Sequence, residues 1–214
     1  MVPPPSDSEA AALTRAVTSA IADPAVTRLI VDPVGGTGPD DHPDVLLSQV
    51  AGVLMRHERL DVEVAYIAPK ATPATRAYGL PHGDAARRLA ETGAAQTLPL
   101  IRDDAASVLV GRARHLGLST DAEGQTAKLR GETYVDSERL FDGEVRAVEI
   151  EPLVAEPGVR GRVARRLPGG WLTGRAVQTG GLNLVVEREG VLTPRVVKRS
   201  TFYRHHIDWK LVRP

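Results

Sequence analysis

The first third of the chain alternates between helical and extended patterns of apolar residues. In residues 11–22 apolar side chains recur at every fourth position, which predicts an amphipathic helix that ends before Asp23-Pro24. The runs TRLIVD and LDVEVAYIAP predict short strands, and PDVLLSQVAGVLMRH between them predicts a helix. Because a strand, a helix and a strand at this spacing form a βαβ unit, we expect parallel strands at 27–32 and 61–67 joined by a helix near 44–57.

The later part of the chain has a different pattern. Short β-rich runs are separated by turn dipeptides such as Asp142-Gly143 and Gly180-Gly181, and they show no helical period. This pattern predicts an antiparallel sheet folded into a β-sandwich or a barrel. The predicted fold class is therefore α/β followed by mainly antiparallel β, with a βαβ region in residues 1–110 and a β-rich region in residues 111–214.

The composition excludes several classes of site. The chain has no cysteine, which rules out disulfides, thiolate catalysis and zinc sites that depend on sulfur. No window approaches 18 consecutive apolar residues, and the start MVPPPSDSEA lacks the basic and apolar regions of a signal peptide. We therefore expect no transmembrane segment and a cytoplasmic location.

The charge is unevenly distributed although the net charge is zero. Residues 151–214 contain 12 Lys or Arg and 5 Asp or Glu, so they carry +7 and residues 1–150 carry −7. Either the two parts attract each other, or the basic part meets an anionic partner. The basic segment at residues 195–213 also contains three aromatic residues, which suit either single-stranded nucleic acid or the core of the β-rich part.

A glycine-rich loop follows the first predicted strand. Gly35, Gly36, Thr37 and Gly38 could direct backbone N–H groups toward a phosphate at the start of the next helix, or they could form a plain flexible loop. The acids that follow, including Asp44, would repel an anion unless Mg²⁺ intervened. The loop does not end in the Lys and Ser or Thr of a Walker A sequence.

This order of elements resembles the diacylglycerol and sphingosine kinase-like lipid kinases. Their first strand ends in an Asn-Pro and Ser-Gly-x-Gly type of loop, and here Asp32-Pro33 precedes the glycines at the same place. The stretches TYVDSERLFDGEVRAVEI and VVEREGVLTPRVV are similar to the hairpins with which such kinases carry an acid-Gly pair. The resemblance implies a nucleotide, ATP with Mg²⁺, and an anionic lipid substrate.

The chain departs from these kinases at one motif. Such kinases carry a Gly-Gly-Asp-Gly-Thr run after a later strand, and this sequence has none. The nearest candidate by position is LIRDDAAS, whose Asp103 and Asp104 would serve as catalytic base or metal ligand, although an Asp-Asp pair between two apolar runs is typical of a hairpin turn. His205 and His206 are expected on opposite sides of a strand, so no metal site is predicted.

The leading hypothesis is a nucleotide- or phospholipid-binding protein that resembles lipid kinases and is inactive or weakly active in phosphoryl transfer. In it the glycine loop holds phosphate, Asp103 or Asp104 acts in catalysis, and Arg195, Lys198 and Arg199 meet the anionic substrate. The alternatives are a non-enzymatic interaction or assembly module that forms homo-oligomers, and a β domain that binds nucleic acid or another anion.

Overall fold

The computed structural model describes residues 7–33, 42–119, 125–164 and 170–214. Its helices are α1 (Asp7–Ile21), α2 (Asp44–Arg56), α3 (Pro73–Tyr78) and α4 (Asp84–Thr92). Its strands are β1 (Arg28–Val31), β2 (Glu63–Tyr66), β3 (Ala95–Leu98), β4 (Ile101–Asp103), β5 (Val108–Leu109), β6 (Ala113–Leu118), β7 (Thr126–Ala127), β8 (Leu129–Val135), β9 (Glu138–Val145), β10 (Val148–Pro152), β11 (Val159–Val163), β12 (Leu172–Gly174), β13 (Ala176–Arg188), β14 (Val191–Arg204) and β15 (Trp209–Val212). Among the described helices, none is long and apolar enough to cross a membrane.

The N-terminal sheet has the strand order β1-β2-β15-β3. Strands β1 and β2 are parallel, with Arg28 opposite Glu63 and Val31 opposite Tyr66, and α2 connects them. The predicted βαβ unit is therefore confirmed. The last strand, β15, also joins this sheet, parallel to β2 and antiparallel to β3. Because both ends of the chain contribute to one sheet, the division into domains at residue 110 stays a prediction.

The second sheet is antiparallel and contains the other described strands. Its main path is β12-β11-β10-β6-β13-β14-β4-β5, and β7, β8 and β9 pair beside it. The sheet folds over its own core: a Cβ added to Gly161 of β11 would lie 3.2 Å from the side chain of Val177 of β13, so these two strands pack face to face without room for a larger residue. The predicted order, α/β followed by antiparallel β, is confirmed.

Each sheet has its own apolar core. The first core packs Leu47 and Leu54 of α2 against the sheet, and Tyr78 meets Trp209 edge to face with ring centroids 5.7 Å apart. The second core includes Phe202, which is fully buried. The expectation that Trp209 fills the core of the β-rich part is wrong, because β15 returns to the N-terminal sheet and buries its indole there.

A polar network lies inside the second core. His115 of β6 is fully buried and bonds through Nδ1 to Thr179 Oγ1 at 2.6 Å and through Nε2 to Ser200 Oγ at 3.1 Å. Thr133 Oγ1 lies 2.7 Å from the same Thr179 hydroxyl. Burial, together with the positive charge of Arg188, lowers the pKa of His115 to about 3. The imidazole is therefore neutral in the folded protein at every ordinary pH.

The buried imidazole predicts acid-sensitive stability. An unfolded His titrates near pH 6.5, so below that pH the unfolded chain binds a proton that the folded chain does not. From about pH 6 down to about pH 3 this one group should lower the free energy of unfolding by about 1.4 kcal/mol per pH unit. Urea unfolding of the wild type and of His115→Gln across this range measures the effect: the wild type should lose more stability than the variant, and equal slopes would contradict the assignment.

Candidate functional site

A cleft of about 290 Å³ lies where the two sheets meet. One wall comes from the start of α2 and from the loop and helix that follow β2, and the other from Arg112 and the turn between β13 and β14. This is the carboxyl end of the parallel strands β1 and β2, where ligands bind in open α/β sheets. The charged and titratable side chains that line it are His42, Asp44, Lys70, Arg76, Arg112 and Glu189.

Asp44 is buried in the first turn of α2. Its Oδ1 accepts a hydrogen bond of 2.8 Å from the Tyr66 hydroxyl, and its Oδ2 accepts one of 2.9 Å from the backbone N–H of Ala74. A negative charge at this place is favoured by the dipole of α2. Burial, followed by the charge of Asp44, raises the pKa of Tyr66, so the phenol stays a donor. Asp44 thus connects α2, β2 and α3.

Glu189 is the second buried carboxylate of the cleft. Three successive backbone groups point at it: the N–H of Val110 and of Gly111 donate to Oε1 at 2.9 and 3.0 Å, and that of Arg112 donates to Oε2 at 3.1 Å. Burial and the nearby charge of Asp44 raise the pKa of Glu189 to about 8, and the three N–H donors act in the opposite direction. The residue has φ 50, the left-handed conformation of a tight hairpin turn.

The cations of the cleft are more exposed to solvent than its two buried acids. Lys70 and Arg76 are exposed and Arg112 is half-buried. Among the described residues, none of the three forms an ion pair or a side-chain hydrogen bond. Asp44 and Glu189 already accept hydrogen bonds, whereas the three cations have no partner among the described residues, so the open side of the cleft is suited to an anion.

The glycine loop adjoins this cleft in the sequence. Gly35, Gly36, Thr37 and Gly38 lie outside the described residues, so their role in binding phosphate stays a prediction. The chain is described again from His42, and both His42 and Pro43 line the cleft. The part of the chain that is described again after the glycine loop therefore begins at the cleft wall.

Asp103 is the last residue of β4 and Asp104 begins the hairpin turn to β5, so the turn interpretation is confirmed for Asp104. Asp103 is fully buried; its Oδ1 accepts the N–H groups of Ala105 at 3.0 Å and Ser107 at 2.8 Å, and its Oδ2 accepts Arg188 Nε at 2.6 Å. Asp104 is exposed, and neither carboxylate lines the cleft. These contacts give Asp103 a structural role, and a catalytic role for either residue stays a prediction.

Arg195, Lys198 and Arg199 lie on β14, further along the hairpin whose turn enters the cleft. All three are exposed and none lines the cleft. Within the described part of the chain they form no ion pair, although Arg162–Glu149 and Arg188–Asp103 do join the basic and acidic parts. Their role as substrate contacts stays a prediction.

The geometric expectation for His205 and His206 is wrong. The two residues follow the end of β14 instead of continuing it, and their ring centroids are 4.2 Å apart. The chain bends after Arg204, so the alternation of a strand no longer applies. Among the described residues there is no group of three or more metal-ligating side chains.

Sequence reasoning missed the cations of the cleft and the role of Glu189. Lys70 directly follows the run LDVEVAYIAP, which predicts the second strand. Because ligands bind at the carboxyl ends of parallel strands, a cation at this position could have been predicted to contact a ligand. Glu189 was noticed only as part of an acid-Gly pair. The contact of its carboxylate with residues 110–112 joins positions almost 80 apart in the sequence, which no local pattern reveals.

The arrangement of a mixed α/β sheet beside a folded antiparallel sheet is similar to the fold of solved diacylglycerol kinase structures. A crystal structure of a diacylglycerol kinase from Bacillus anthracis strain Sterne matches 94% of this chain and 80% of its own, with a TM-score of 0.66 and 12% sequence identity. A second structure from the same organism matches 96% of this chain and 82% of its own, with a TM-score of 0.65 and 11% identity. No family model and no curated protein matches the sequence. The resemblance to lipid kinases is thus confirmed for the fold.

The packing around Glu189 predicts that Gly111 cannot be enlarged. A Cβ at Gly111 would lie 2.6 Å from Glu189 Oε2, 2.9 Å from the backbone nitrogen of Ala74 and 3.0 Å from Asp44 Oδ2. We expect Gly111→Ala to destabilise the protein by about 1–3 kcal/mol, the usual cost of overpacking. Gly170→Ala is the matched control because a Cβ there meets nothing within 4 Å. Chemical denaturation of both variants measures this, and equal stabilities would show that the cleft is looser than described.

Proposed function

We propose that this chain binds a phosphate-bearing ligand, a nucleotide or the headgroup of an anionic phospholipid, in the cleft between its two sheets. The observation that carries the proposal is the convergence of Lys70, Arg76 and Arg112, unpaired among the described residues, on one cleft at the carboxyl ends of β1 and β2. Arginine can bind phosphate through two parallel hydrogen bonds, and lysine can bind it as a point charge. The kinase-like fold supports the same ligand class.

The glycine loop and Mg²⁺ complete this proposal. The backbone N–H groups of Gly35, Gly36, Thr37 and Gly38 would hold phosphate oxygens beside the cations. ATP with Mg²⁺ suits a cleft that also contains Asp44 and Glu189, because the metal ion carries positive charge between phosphate and carboxylate oxygens.

Phosphoryl transfer is proposed to be weak or lost. The sequence lacks the Gly-Gly-Asp-Gly-Thr run, and the buried acids of the cleft already accept hydrogen bonds from backbone groups. A carboxylate with its acceptor positions occupied is poorly placed to take a proton from a substrate hydroxyl. Binding of the ligand is therefore the activity that the geometry supports best.

The cations predict a specific loss of ligand binding. Lys70→Ala with Arg112→Ala should weaken the binding of Mg-ATP by about a hundredfold or more, because each of the two lost hydrogen bonds to a charged group is worth about 1.5–3 kcal/mol. Isothermal titration calorimetry with Mg-ATP, Mg-ADP and inorganic phosphate measures it. The control is Arg15→Ala with Arg88→Ala, which removes two exposed cations outside the cleft. Equal affinities in the two double variants, or a wild type that binds none of these ligands, would contradict the proposal and favour the interaction module.

A separate variant tests the glycine loop. Gly36→Val should abolish the thermal stabilisation of the protein by Mg-ATP, because a β-branched side chain prevents the close approach of backbone to phosphate. The melting temperature without ligand should change little. An unchanged shift in the variant would remove the loop from the site while leaving the cations in place.

A further inference from the structure

A recess lies beside the open end of the β13–β14 hairpin, away from the cleft. Its volume is about 610 Å³. The residues that line it are Glu156, Pro157, Arg175, Arg204, His205 and His206. The cleft meets the turn of the hairpin at Glu189 and Gly190, whereas the recess adjoins the end where Ala176 pairs with Tyr203. Among the described residues the two linings share no member, so the recess is a separate place on the molecule.

Backbone hydrogen bonds fix the chain around the recess. The N–H of Arg204 donates to the carbonyl of Arg175 at 2.8 Å, and the N–H of His205 donates to the carbonyl of Leu100 at 2.8 Å. The turn between β10 and β11 closes a further side, since a Cβ on Gly158 would lie 3.3 Å from Arg204 Cδ. The walls of the recess therefore come from segments that are far apart in the sequence.

Arg204 binds the two carboxylates next to it. Its Nη1 donates to Glu156 Oε1 at 2.5 Å, and its Nη2 donates to Asp208 Oδ1 at 3.1 Å and Oδ2 at 3.2 Å. The hydrogen bond and the charge of Arg204 lower the pKa of Glu156, and the charge of Arg175 acts in the same direction. Both acids are thus already engaged by one guanidinium group, and the charge of Arg175 reaches the same place.

The other polar side chains of the recess are less engaged. Arg175 is exposed and, within the described part of the chain, forms no ion pair or side-chain hydrogen bond; only its backbone N–H is bonded, to Asp136 Oδ1 at 2.9 Å. The rings of His205 and His206 have centroids 4.2 Å apart. Burial, followed by His206 and by the positive charge of Arg102 on β4, lowers the pKa of His205. Two imidazoles and one guanidinium are therefore available to a ligand.

The charge of the recess depends on the protonation of its histidines. With both imidazoles neutral, the two cations Arg175 and Arg204 balance the two acids Glu156 and Asp208. Histidine changes its charge between pH 5 and 8, so acidification adds positive charge here. Two protonated rings at this separation repel each other unless an anion lies beside them. Protonation of the rings and binding of an anion therefore favour each other.

We propose that the recess binds an oxyanion of the phosphate type and takes up a proton when it does so. The protonated rings of His205 and His206 donate N–H groups to the anion, and the guanidinium of Arg175 adds a charge-assisted hydrogen bond. The volume of the recess is in the range of pockets that hold small organic molecules. It has room for a phosphate group on a small carrier as well as for free phosphate.

A metal ion fits the recess less well. Imidazole and carboxylate groups are common metal ligands, but within the residues that the structure describes no three such side chains form a group that could hold a metal ion. The carboxylate of Glu156 is bonded to Arg204 instead. The imidazoles are therefore assigned to an anion.

The test uses sulfate, because the charge of this oxyanion does not change between pH 5 and 8. The protein is the full chain with Lys70→Ala and Arg112→Ala, so that the cations of the cleft do not contribute. Isothermal titration calorimetry should show sulfate binding at about pH 5.5 that weakens about tenfold or more by about pH 8, because the coupled proton is lost. Equal affinity at both pH values, or no binding at either, would overturn the proposal.

A matched pair of variants locates the anion. In the same background, Arg175→Gln with His206→Gln should weaken sulfate binding at the lower pH by about tenfold or more, since two charge-assisted hydrogen bonds are lost. Arg88→Gln with His82→Gln removes an exposed arginine and an exposed histidine outside both sites and should have no effect. Equal losses in the two pairs would overturn the proposal.

NMR titration of the imidazole resonances gives a readout that a merely structural role would not change. Saturating sulfate should move the titration of His205 to higher pH and leave that of His82 unchanged, because an anion stabilises only the protonated ring that it contacts. No change at His205 would contradict the proposal. So would Zn²⁺ binding that depends on His206 in a protein that binds no sulfate, since that result would make the recess a metal site.

Two further comparisons identify the source of the anion and separate this site from the cleft. Tighter binding of glycerol 3-phosphate than of inorganic phosphate would support a phosphate group on a carrier, and equal binding would support free phosphate. Sulfate binding in the cleft variant, together with absent Mg-ATP binding in the wild type, would sustain the recess and defeat only the proposed function. Sulfate binding that the wild type shows and the cleft variant lacks would overturn the recess and leave the cleft in place.

Discussion

The structure depends on the burial of two carboxylates between its two sheets. Glu189 at the tip of the β13–β14 hairpin accepts three consecutive backbone N–H groups of residues 110–112, and Asp44 at the start of α2 accepts a backbone N–H from α3 and the hydroxyl of Tyr66. Removing a buried acceptor would leave several donors unsatisfied, which costs far more than the bond contributes when made. The Glu189 bonds hold the β13–β14 turn to the connection between β5 and β6, and the Asp44 bonds hold α2 to β2 and α3, so each set fixes one wall of the cleft. The cations on its rim have no carboxylate partner in the described part of the chain, so they can contact a ligand.

The same interactions explain why the cleft combines acids with an affinity for anions. Asp44 accepts hydrogen bonds from the Tyr66 hydroxyl and a backbone N–H, and the raised pKa of Glu189, about 8, keeps most of that side chain protonated at neutral pH. Both acids therefore repel a phosphate less than exposed carboxylates would. The charge of Lys70, Arg76 and Arg112, in contrast, faces solvent with no carboxylate partner among the described residues. The net charge of zero for the whole chain hides this local imbalance. The kind of ligand that the cleft can bind depends on where the charges lie and not on the net charge of the chain.

Local sequence patterns predicted the elements that form between residues close together in the sequence. The βαβ unit follows from periodicity in residues 27–67, and the hairpins follow from turn dipeptides between β-branched runs. The return of β15 to the N-terminal sheet was not predictable in this way, because Leu211 pairs with Val64 across most of the chain. The same limit applies to the site: the sequence directed attention to the glycine loop and to Asp103, whereas the cleft is completed by Glu189 through contacts between distant residues. Asp103 is instead satisfied within its own turn and by Arg188.

We propose the cleft between the sheets as a site for a phosphate-bearing ligand. The most direct measurement is an NMR titration of the ¹⁵N-labelled chain with Mg-ADP, in which the resonance of each backbone amide is followed separately. Binding in the cleft should give saturable shifts for Lys70, Arg76, Gly111, Arg112 and Gly190, with the amides of β9 and β12 unchanged. No shift at these positions, or shifts confined to residues far from the cleft, would show that the ligand does not bind there.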